Sequence, residues 1–347
     1  MTPRQAKAML HAALVTPLSG ELGGYGRAGA TALNLWAAWH NRRFSPKIEL
    51  TVLDTGRDPV AALARAEQMP ADLLFGPYGS SPAAAVATAT SRLIWNHGGA
   101  RVPAAQNVVT VLAPADTYFH GAIQAVRQAD PDVHSVCVLT GDTGFSRAVA
   151  GGAVREAGQL GLRVTGGRLD AAAQHADMLL AVGRFAAEVA AARRLLPGRR
   201  WRAAGFVGAG VEEVLADLGG AREGLLGPAQ WLAETAPTPD TGPPATEFVA
   251  AYHYRAGGDP PYPAAQAFAA GVIAARCLRE AGTADDAALA AAACALECTT
   301  MFAPFRLDPK TRQQVGHHVL TVQWQDGMRR VIWPPEQAQT SLRYPLS

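Results

Sequence analysis

The sequence predicts a two-lobed α/β protein with parallel sheets that are covered by helices on both faces. At 347 residues the chain is long for one compact domain. Short apolar segments alternate with segments of helical spacing, and the alternation starts again in the second half of the chain. Hydrophobic residues make up 49% and charged residues 17% of the sequence, which provides enough apolar surface for two cores.

The first half begins with apolar runs that end in glycine and proline. Asp58 and Pro59 have the N-cap and first-turn chemistry that opens a helix, and the sequence Gly-Pro-Tyr-Gly at 76–79 ends a buried strand. The predicted strands are 9–16, 48–53, 72–75, 92–95 and 108–112. The predicted helices are 26–41, 59–68 and one from Ser81.

The second half repeats this pattern. Its predicted strands are 135–140, 162–166, 178–182, 202–207 and 224–231, with helices over 145–160 and 186–196. Residues 234–246 are rich in proline and predict a linker. Three more helices (247–257, 263–281 and 287–296) and two strands joined by Gln-Asp-Gly (319–324 and 329–333) follow. Helices that arrive this late suggest that the chain returns to the first lobe.

Several classes of function are disfavoured by composition and motifs. The net charge is only +2, whereas binding to nucleic acids requires a concentrated basic surface, so nucleic acid is not the expected partner. Four cysteines do not make a disulfide framework in a chain of this length, and no CxxC or HExxH motif offers a metal site. No apolar run reaches the length of a membrane span, so we expect no membrane insertion. We expect neither a metal nor a cofactor.

One motif favours an enzyme. Residues 24–29 form a GxGxxG pattern after a strand, and Asp54 ends the next strand, where a ribose-binding acid would lie. An NAD-dependent oxidoreductase is therefore an alternative. However, residues 17–23 separate the motif from the strand, whereas the fingerprint needs its first glycine directly after it. We expect a protein that is not an enzyme.

A second motif favours ligand binding. In the sequence FGPYGSSP (75–82), a buried strand is followed by glycines and by a serine pair at a predicted helix start. Free amides and hydroxyls at a helix N-terminus suit a carboxylate or another acceptor group. A plain serine N-cap explains the motif equally well.

Motifs spread over nearly the whole chain resemble the type I periplasmic-binding proteins of the branched-chain amino-acid and amide class. They include VTPLSG, LTVLDTGRDP, LLFGPYGSSP, VLTGDTGFSRAVAGG, AREGLLGPAQW and EFVAAYHYRAGGDPPYPAAQAFAAG. This resemblance implies two doubly wound, Rossmann-like lobes, a three-strand hinge and a ligand trapped by closure. It also implies lobe one at 1–116 plus 243–323 and lobe two at 117–242 plus 324–347.

The resemblance also implies where the ligand binds. Ser80, with Ser81 beside it, matches the serine that holds the ligand carboxylate. The acid that pairs with an α-ammonium in this family would fall in 205–208, which holds no acid. Since a desolvated ammonium without a carboxylate is costly, the ligand is expected to be a carboxylate or amide with an apolar or aromatic body, and not a standard α-amino acid. The full set of expected ligand-binding residues is Tyr78, Ser80, Ser81, Trp95, Asn96, His97, Gly98, Tyr118, Phe145, Phe185, Trp231 and Tyr262.

Two biological roles follow from the resemblance. The first is the solute-binding component of an ABC importer, with the transporter permease as a partner and a periplasmic or other extracytoplasmic location if a leader has been removed. The second is a cytoplasmic ligand sensor of the amide-binding type. A start at Met1 without a leader favours the sensor, although a trimmed leader gives the same start.

Overall fold

A computed structural model describes residues 8–103, 105–198 and 201–346. The strands are β1 (Met9–Thr16), β2 (Lys47–Asp54), β3 (Leu73–Phe75), β4 (Ile94–Asn96), β5 (Val108–Thr110), β6 (Ser135–Thr140), β7 (Arg163–Arg168), β8 (Met178–Val182), β9 (Ala203–Phe206), β10 (Leu226–Ala229), β11 (Cys298–Thr299), β12 (Pro304–Phe305), β13 (Leu320–Gln325) and β14 (Met328–Trp333). The helices are α1 (Gly23–Arg43), α2 (Pro59–Glu67), α3 (Ser80–Ala89), α4 (His120–Ala129), α5 (Gly144–Gln159), α6 (Phe185–Leu195), α7 (Ala245–Ala256), α8 (Tyr262–Ala281) and α9 (Asp286–Ala295).

The first compact unit, unit 1, comprises Met1–Ala113 and Trp231–His317. Its described strands form a parallel sheet in the order β2-β1-β3-β4-β5. Helices α1 and α8 pack closely because Gly271 of α8 leaves room for the indole of Trp36; a Cβ at Gly271 would lie 2.3 Å from that ring. Trp36 and Phe75 are fully buried in this core and meet edge to face.

The second compact unit, unit 2, comprises Pro114–Gln230 and His318–Ser347. Its described strands follow the order β14-β13-β10-β9-β8-β6-β7, in which β6 to β10 run parallel. Strands β13 and β14 form the antiparallel hairpin that the Gln-Asp-Gly sequence predicts. Both turn residues, Asp326 and Gly327, have positive φ (54° and 75°), as a two-residue hairpin turn of this type requires.

The unit boundaries differ from the lobe boundaries expected from the sequence. The chain passes between units after residues 113, 230 and 317, against the expected 116, 242 and 323. The second crossing is earlier because 231–242 pack on unit 1. The backbone amides of Asp240 and Thr241 donate to the Thr299 carbonyl, and Asp240 accepts from the Thr299 amide. The proline-rich segment that predicted a linker is therefore held against β11.

Three further elements were not predicted. Helix α4 lies at 120–129, and β11 and β12 form a short antiparallel pair. In the described residues, no helix combines the length and the apolar character that crossing a membrane requires.

Candidate functional site

The strand order of unit 1 reverses its direction between two neighbouring strands, β1 and β3. From β1 the chain passes through α1 to β2 on one side, while β3, which follows, lies on the other side of β1. In open parallel sheets, such a reversal leaves a crevice at the carboxyl ends of the two strands, where ligands bind. Here β1 ends at Thr16 and β3 ends at Phe75.

The loop after β3 is fixed by backbone hydrogen bonds to β4 and to the loop that follows β4. The Gly76 amide donates to the Trp95 carbonyl (3.0 Å), and the Gly79 amide donates to the Gly98 carbonyl (2.9 Å). Gly98 must be a glycine, because a Cβ there would lie 2.4 Å from the Cα of Tyr78. Gly98 is thus a neighbour that sets the position of Tyr78.

The predicted serine pair lies at the start of α3, but neither serine caps it. The N-cap is Gly79, at φ 103°, and α3 has no side-chain cap. The Ser80 hydroxyl accepts a hydrogen bond from the Arg101 amide (3.2 Å), and Ser81 is exposed. Both hydroxyls lie in the first helical turn, where the amides carry partial positive charge.

Three tyrosines meet at the same end of the sheet. Tyr78 lies in the loop after β3, Tyr262 is the first residue of α8, and Tyr25 is in the first turn of α1. The phenol groups of Tyr78 and Tyr262 are hydrogen-bonded, and the ring of Tyr25 stacks on that of Tyr78. Tyr78 and Tyr262 are among the ligand-binding residues expected from the sequence. Tyr25, which lies inside the GxGxxG motif, is not among them.

Trp95 and Asn96, two further predicted ligand-binding residues, are buried within unit 1. The side chain of Trp95 is part of the hydrophobic core. The Asn96 amide group donates to the carbonyl of Gly99 and to the Thr110 hydroxyl, and its oxygen accepts from the Gly99 amide. These contacts give Trp95 a packing role and Asn96 the role of organising the loop at 96–99.

His97 is completely buried next to α1 and α8. A Cβ at Gly29 would lie 3.1 Å from the His97 ring and 3.6 Å from Ala267. Neither ring nitrogen has a hydrogen bond of normal geometry. Burial lowers the pKa of His97 to about 4, although the nearby carbonyls of His97 and Gly76 oppose the shift. The imidazole is therefore neutral at neutral pH.

Unit 2 also has aromatic side chains at the carboxyl ends of its parallel strands. Phe145 and Phe185 are half-buried in the first turns of α5 and α6, and Tyr118 meets Phe145 edge to face (5.5 Å between ring centroids). Gln230, which follows β10, donates to the Tyr118 hydroxyl (2.8 Å). Burial raises the pKa of Tyr118 to about 12, so the phenol stays protonated. Gln230 was not predicted.

Trp231 belongs to the interior of unit 1, and not to lobe two as expected. Its indole packs edge to face on Phe248, and its Nε1 donates to the Met301 carbonyl (2.9 Å). With 6% of its surface exposed, it serves as a core residue of unit 1.

A buried carboxyl group from another element reaches the segment 205–208, which has no acid of its own. Glu188 of α6 accepts hydrogen bonds from the Gly183 amide (2.9 Å) and from the Gly208 amide (2.6 Å), which lie just beyond β8 and β9. Burial raises its pKa to about 8, against the effect of these two hydrogen bonds. Its oxygens are fully enclosed and hold two loops together.

The GxGxxG motif has a packing explanation. Helix α1 begins at Gly23, so all three motif glycines lie inside it and not in a turn after the strand. A Cβ at Gly26 would lie 1.8 Å from the Pro17 carbonyl oxygen. Asp54 accepts hydrogen bonds from the amides of Leu18 and Gly56, which hold its pKa below its usual value. The carboxylate thus organises loops of unit 1.

Comparison with known proteins places the chain in a family. The family model described as periplasmic binding protein matches residues 10–328. This chain belongs to that family. The sequence resemblance to type I periplasmic-binding proteins is thereby confirmed, and so is the α/β fold class. The comparison with curated proteins gives no match.

Solved structures of solute-binding proteins share the fold of this periplasmic binding protein. A leucine binding protein from Thermotoga maritima is 18% identical with a TM-score of 0.73, and the match covers 93% of this chain and 97% of that one. A solute-binding protein of an ABC transporter from Rhodopseudomonas palustris BisB5, in complex with 3,4-dihydroxybenzoic acid, is 17% identical with a TM-score of 0.73 (93% and 95% covered). Another from R. palustris, in complex with benzoate, is 16% identical with a TM-score of 0.71 (93% and 95%).

Proposed function

We propose that this periplasmic binding protein is the solute-binding component of an ABC importer and binds its ligand without catalysis. The ligand is a carboxylic acid or amide with an apolar or aromatic body, and not a standard α-amino acid. Binding by closure, as the sequence resemblance implies, is part of this proposal, and so are a transporter permease as partner and a location outside the cytoplasm.

The main support is the chemistry at the carboxyl ends of the strands. In unit 1, three tyrosines adjoin the start of α3, which carries two serine hydroxyls and no acid in its first turn. In unit 2, the carboxyl group next to the end of β9 is that of Glu188 from α6, which is enclosed and accepts hydrogen bonds from two backbone amides. This arrangement suits an acceptor group and an apolar body better than an ammonium.

The related structures give secondary support. The two R. palustris proteins are in complex with benzoate and 3,4-dihydroxybenzoic acid, which are carboxylates on an aromatic body. The T. maritima protein is named for leucine, which represents the amino-acid alternative.

A calorimetric panel tests the proposal. We expect aromatic and short aliphatic acids or amides to bind, and leucine and valine not to. Because a hydrogen bond to a charged group contributes about 1.5–3 kcal/mol, Ser80→Ala should weaken acid binding by roughly tenfold or more. Ser91→Ala, at an exposed serine of the same unit, is the matched control. Tight leucine binding that Ser80→Ala leaves unchanged would contradict the proposal, and saturable NAD binding would favour the oxidoreductase.

A further inference from the structure

The turn that follows β9 has no side chain that could fix its own position. Residues Val207–Gly210 form a short 3₁₀ turn, which we call the β9 turn. Its sequence is Val-Gly-Ala-Gly, so its only hydrogen-bonding groups are those of the backbone. The family resemblance implies a ligand contact at 205–208, which overlaps this turn. The contacts that hold its backbone therefore bear on ligand binding.

The β13–β14 hairpin reaches the β9 turn with two side chains. Trp324 of β13 donates from its indole Nε1 to the Ala209 carbonyl (2.9 Å). Arg329 of β14 donates from its guanidinium to the Gly210 carbonyl (2.7 Å). Because Ala209 is completely buried, water cannot replace the indole as the partner of its carbonyl. Two consecutive carbonyls of the turn are therefore held by a hairpin that is distant in the sequence.

Glu188 connects the β9 turn to the loop after β8. One of its carboxyl oxygens accepts a hydrogen bond from the Gly208 amide (2.6 Å), and the other accepts one from the Gly183 amide (2.9 Å). Phe185, an expected ligand-binding residue, follows two positions after Gly183 and begins α6. One side chain thus fixes two of the segments at which we expect the ligand to bind.

Close packing leaves the β9 turn little room to move. A Cβ at Gly210 would lie 1.7 Å from the Pro228 carbonyl oxygen, and one at Gly208 would lie 2.5 Å from the Val214 side chain. A Cβ at Gly227 of β10 would lie 2.2 Å from the Gly210 nitrogen. The turn therefore lies directly against β10, and the three side-chain hydrogen bonds hold it there.

Stability of unit 2 is the simpler explanation of these contacts. Glu188 is completely buried, and the side chain of Arg329 is 18% exposed. Burying such groups costs desolvation free energy, and replacing them by apolar residues is often neutral or stabilising. Directional hydrogen bonds instead define where a backbone lies, and a binding site requires rigid support of this kind.

We infer that Glu188, Trp324 and Arg329 are positioning residues of the ligand site. They contact the β9 turn and hold it where the ligand meets it, so a change in any of them affects the ligand only through the turn. This inference rests on the proposed function. It assigns control of ligand affinity to the β13–β14 hairpin, in which no ligand-binding residue was expected.

Substitutions in the hairpin test the inference, with benzoate as the probe. We expect calorimetry to give roughly tenfold weaker binding by Arg329→Met, which is the effect typical of one lost hydrogen bond. Arg329→Lys should retain most of the affinity, since its ammonium still donates to the Gly210 carbonyl. Trp324→Phe keeps an aromatic ring but loses the indole donor, and it should weaken binding to a similar extent.

Two controls separate the turn from its surroundings. Arg330→Met removes the same charge from the next residue of β14, whose side chain contacts Met328 and points to the other face of the strand. Glu212→Gln removes the ion pair that Arg329 makes outside the turn (2.9 Å). Both variants should leave the benzoate affinity unchanged.

The outcomes separate the inference from the proposed function. Unchanged affinity in Arg329→Met and Trp324→Phe, with both shown to be folded by thermal unfolding, overturns the inference and leaves the proposed function standing. Equal weakening by Arg330→Met overturns it too, because the effect would then come from charge alone. If Arg329→Met does not fold, Trp324→Phe decides by the same criterion. If benzoate does not bind, the tightest-binding acid or amide of the calorimetric panel replaces it, and if none binds, both proposals fail.

Discussion

His97 is a buried ionisable side chain whose protonation opposes folding of unit 1. Its pKa is about 4 in the folded protein, below the ordinary value of 6.5. The unfolded chain therefore takes up the proton first as the pH falls. The stability contributed by the neutral imidazole is fully present above pH 6.5 and is lost as the pH falls toward 4.

Replacing His97 by leucine should remove this pH dependence. Between pH 7 and pH 5 we expect the natural protein to lose about 2 kcal/mol more unfolding free energy than His97→Leu, at about 1.4 kcal/mol per pH unit below 6.5. Urea unfolding at the two pH values measures the difference. His175→Leu, at an exposed histidine, should behave like the natural protein. If His97→Leu lost as much unfolding free energy between pH 7 and pH 5 as the natural protein, His97 would already be solvated in the folded state.

The residues of the candidate site were only partly predictable from the sequence. Tyr78 and Tyr262 were expected because the family resemblance marks their positions. Tyr25 was missed because α1 was predicted to begin at residue 26 and begins at Gly23. The N-cap is Leu22, which has no capping side chain, so the sequence has no start signal there. Three residues of extra helix place Tyr25 in the first turn.

At the level of elements, the strands were predicted best. β1, β6 and β8 have the predicted bounds because each is a continuous apolar run with loop residues on both sides. α4 was missed because its N-cap, Phe119, provides no side-chain hydrogen bond. The course of 231–242 could not be predicted because its composition is that of a linker, while its position depends on long-range hydrogen bonds to Thr299.

The start of α1 provides a prediction with an internal control. A Cβ at Gly26 would lie 1.8 Å from the Pro17 carbonyl oxygen, while a Cβ at Gly24 meets nothing within 4 Å. Gly26→Ala must therefore displace α1 from the loop after β1. We expect it to lower the unfolding free energy by more than 1 kcal/mol and to weaken ligand binding, since Tyr25 moves with the helix.

Gly24→Ala is the control for that displacement. It should leave affinity unchanged and raise stability by up to about 1 kcal/mol, because alanine favours a helix. Chemical unfolding and calorimetry of both variants give the comparison. If both substitutions abolish binding equally while both proteins stay folded, the glycines serve a ligand that touches the backbone, as in a nucleotide site.

At the level of the whole molecule, the two units have buried ionisable groups that make their stability depend on pH in opposite directions. In unit 1, burial lowers the pKa of His40 as well as that of His97. In unit 2, burial raises the pKa of Glu188 to about 8, above the ordinary value of 4.5. The carboxyl group of Glu188 ionises first in the unfolded chain, so its contribution to stability is lost as the pH rises from 4.5 to 8.

The units should therefore respond to pH in opposite directions. Between pH 5 and pH 8, we expect the opening free energies of core amides, from hydrogen exchange, to rise in unit 1 and to fall in unit 2. His97→Leu should reduce the rise in opening free energy in unit 1 and leave unit 2 unchanged. Glu188→Gln should reduce the fall in unit 2 and leave unit 1 unchanged. Glu213→Gln, at an exposed glutamate of unit 2, is the control. A common shift of both units in either variant would mean that they open as one cooperative body, because separate responses require that each unit open by itself.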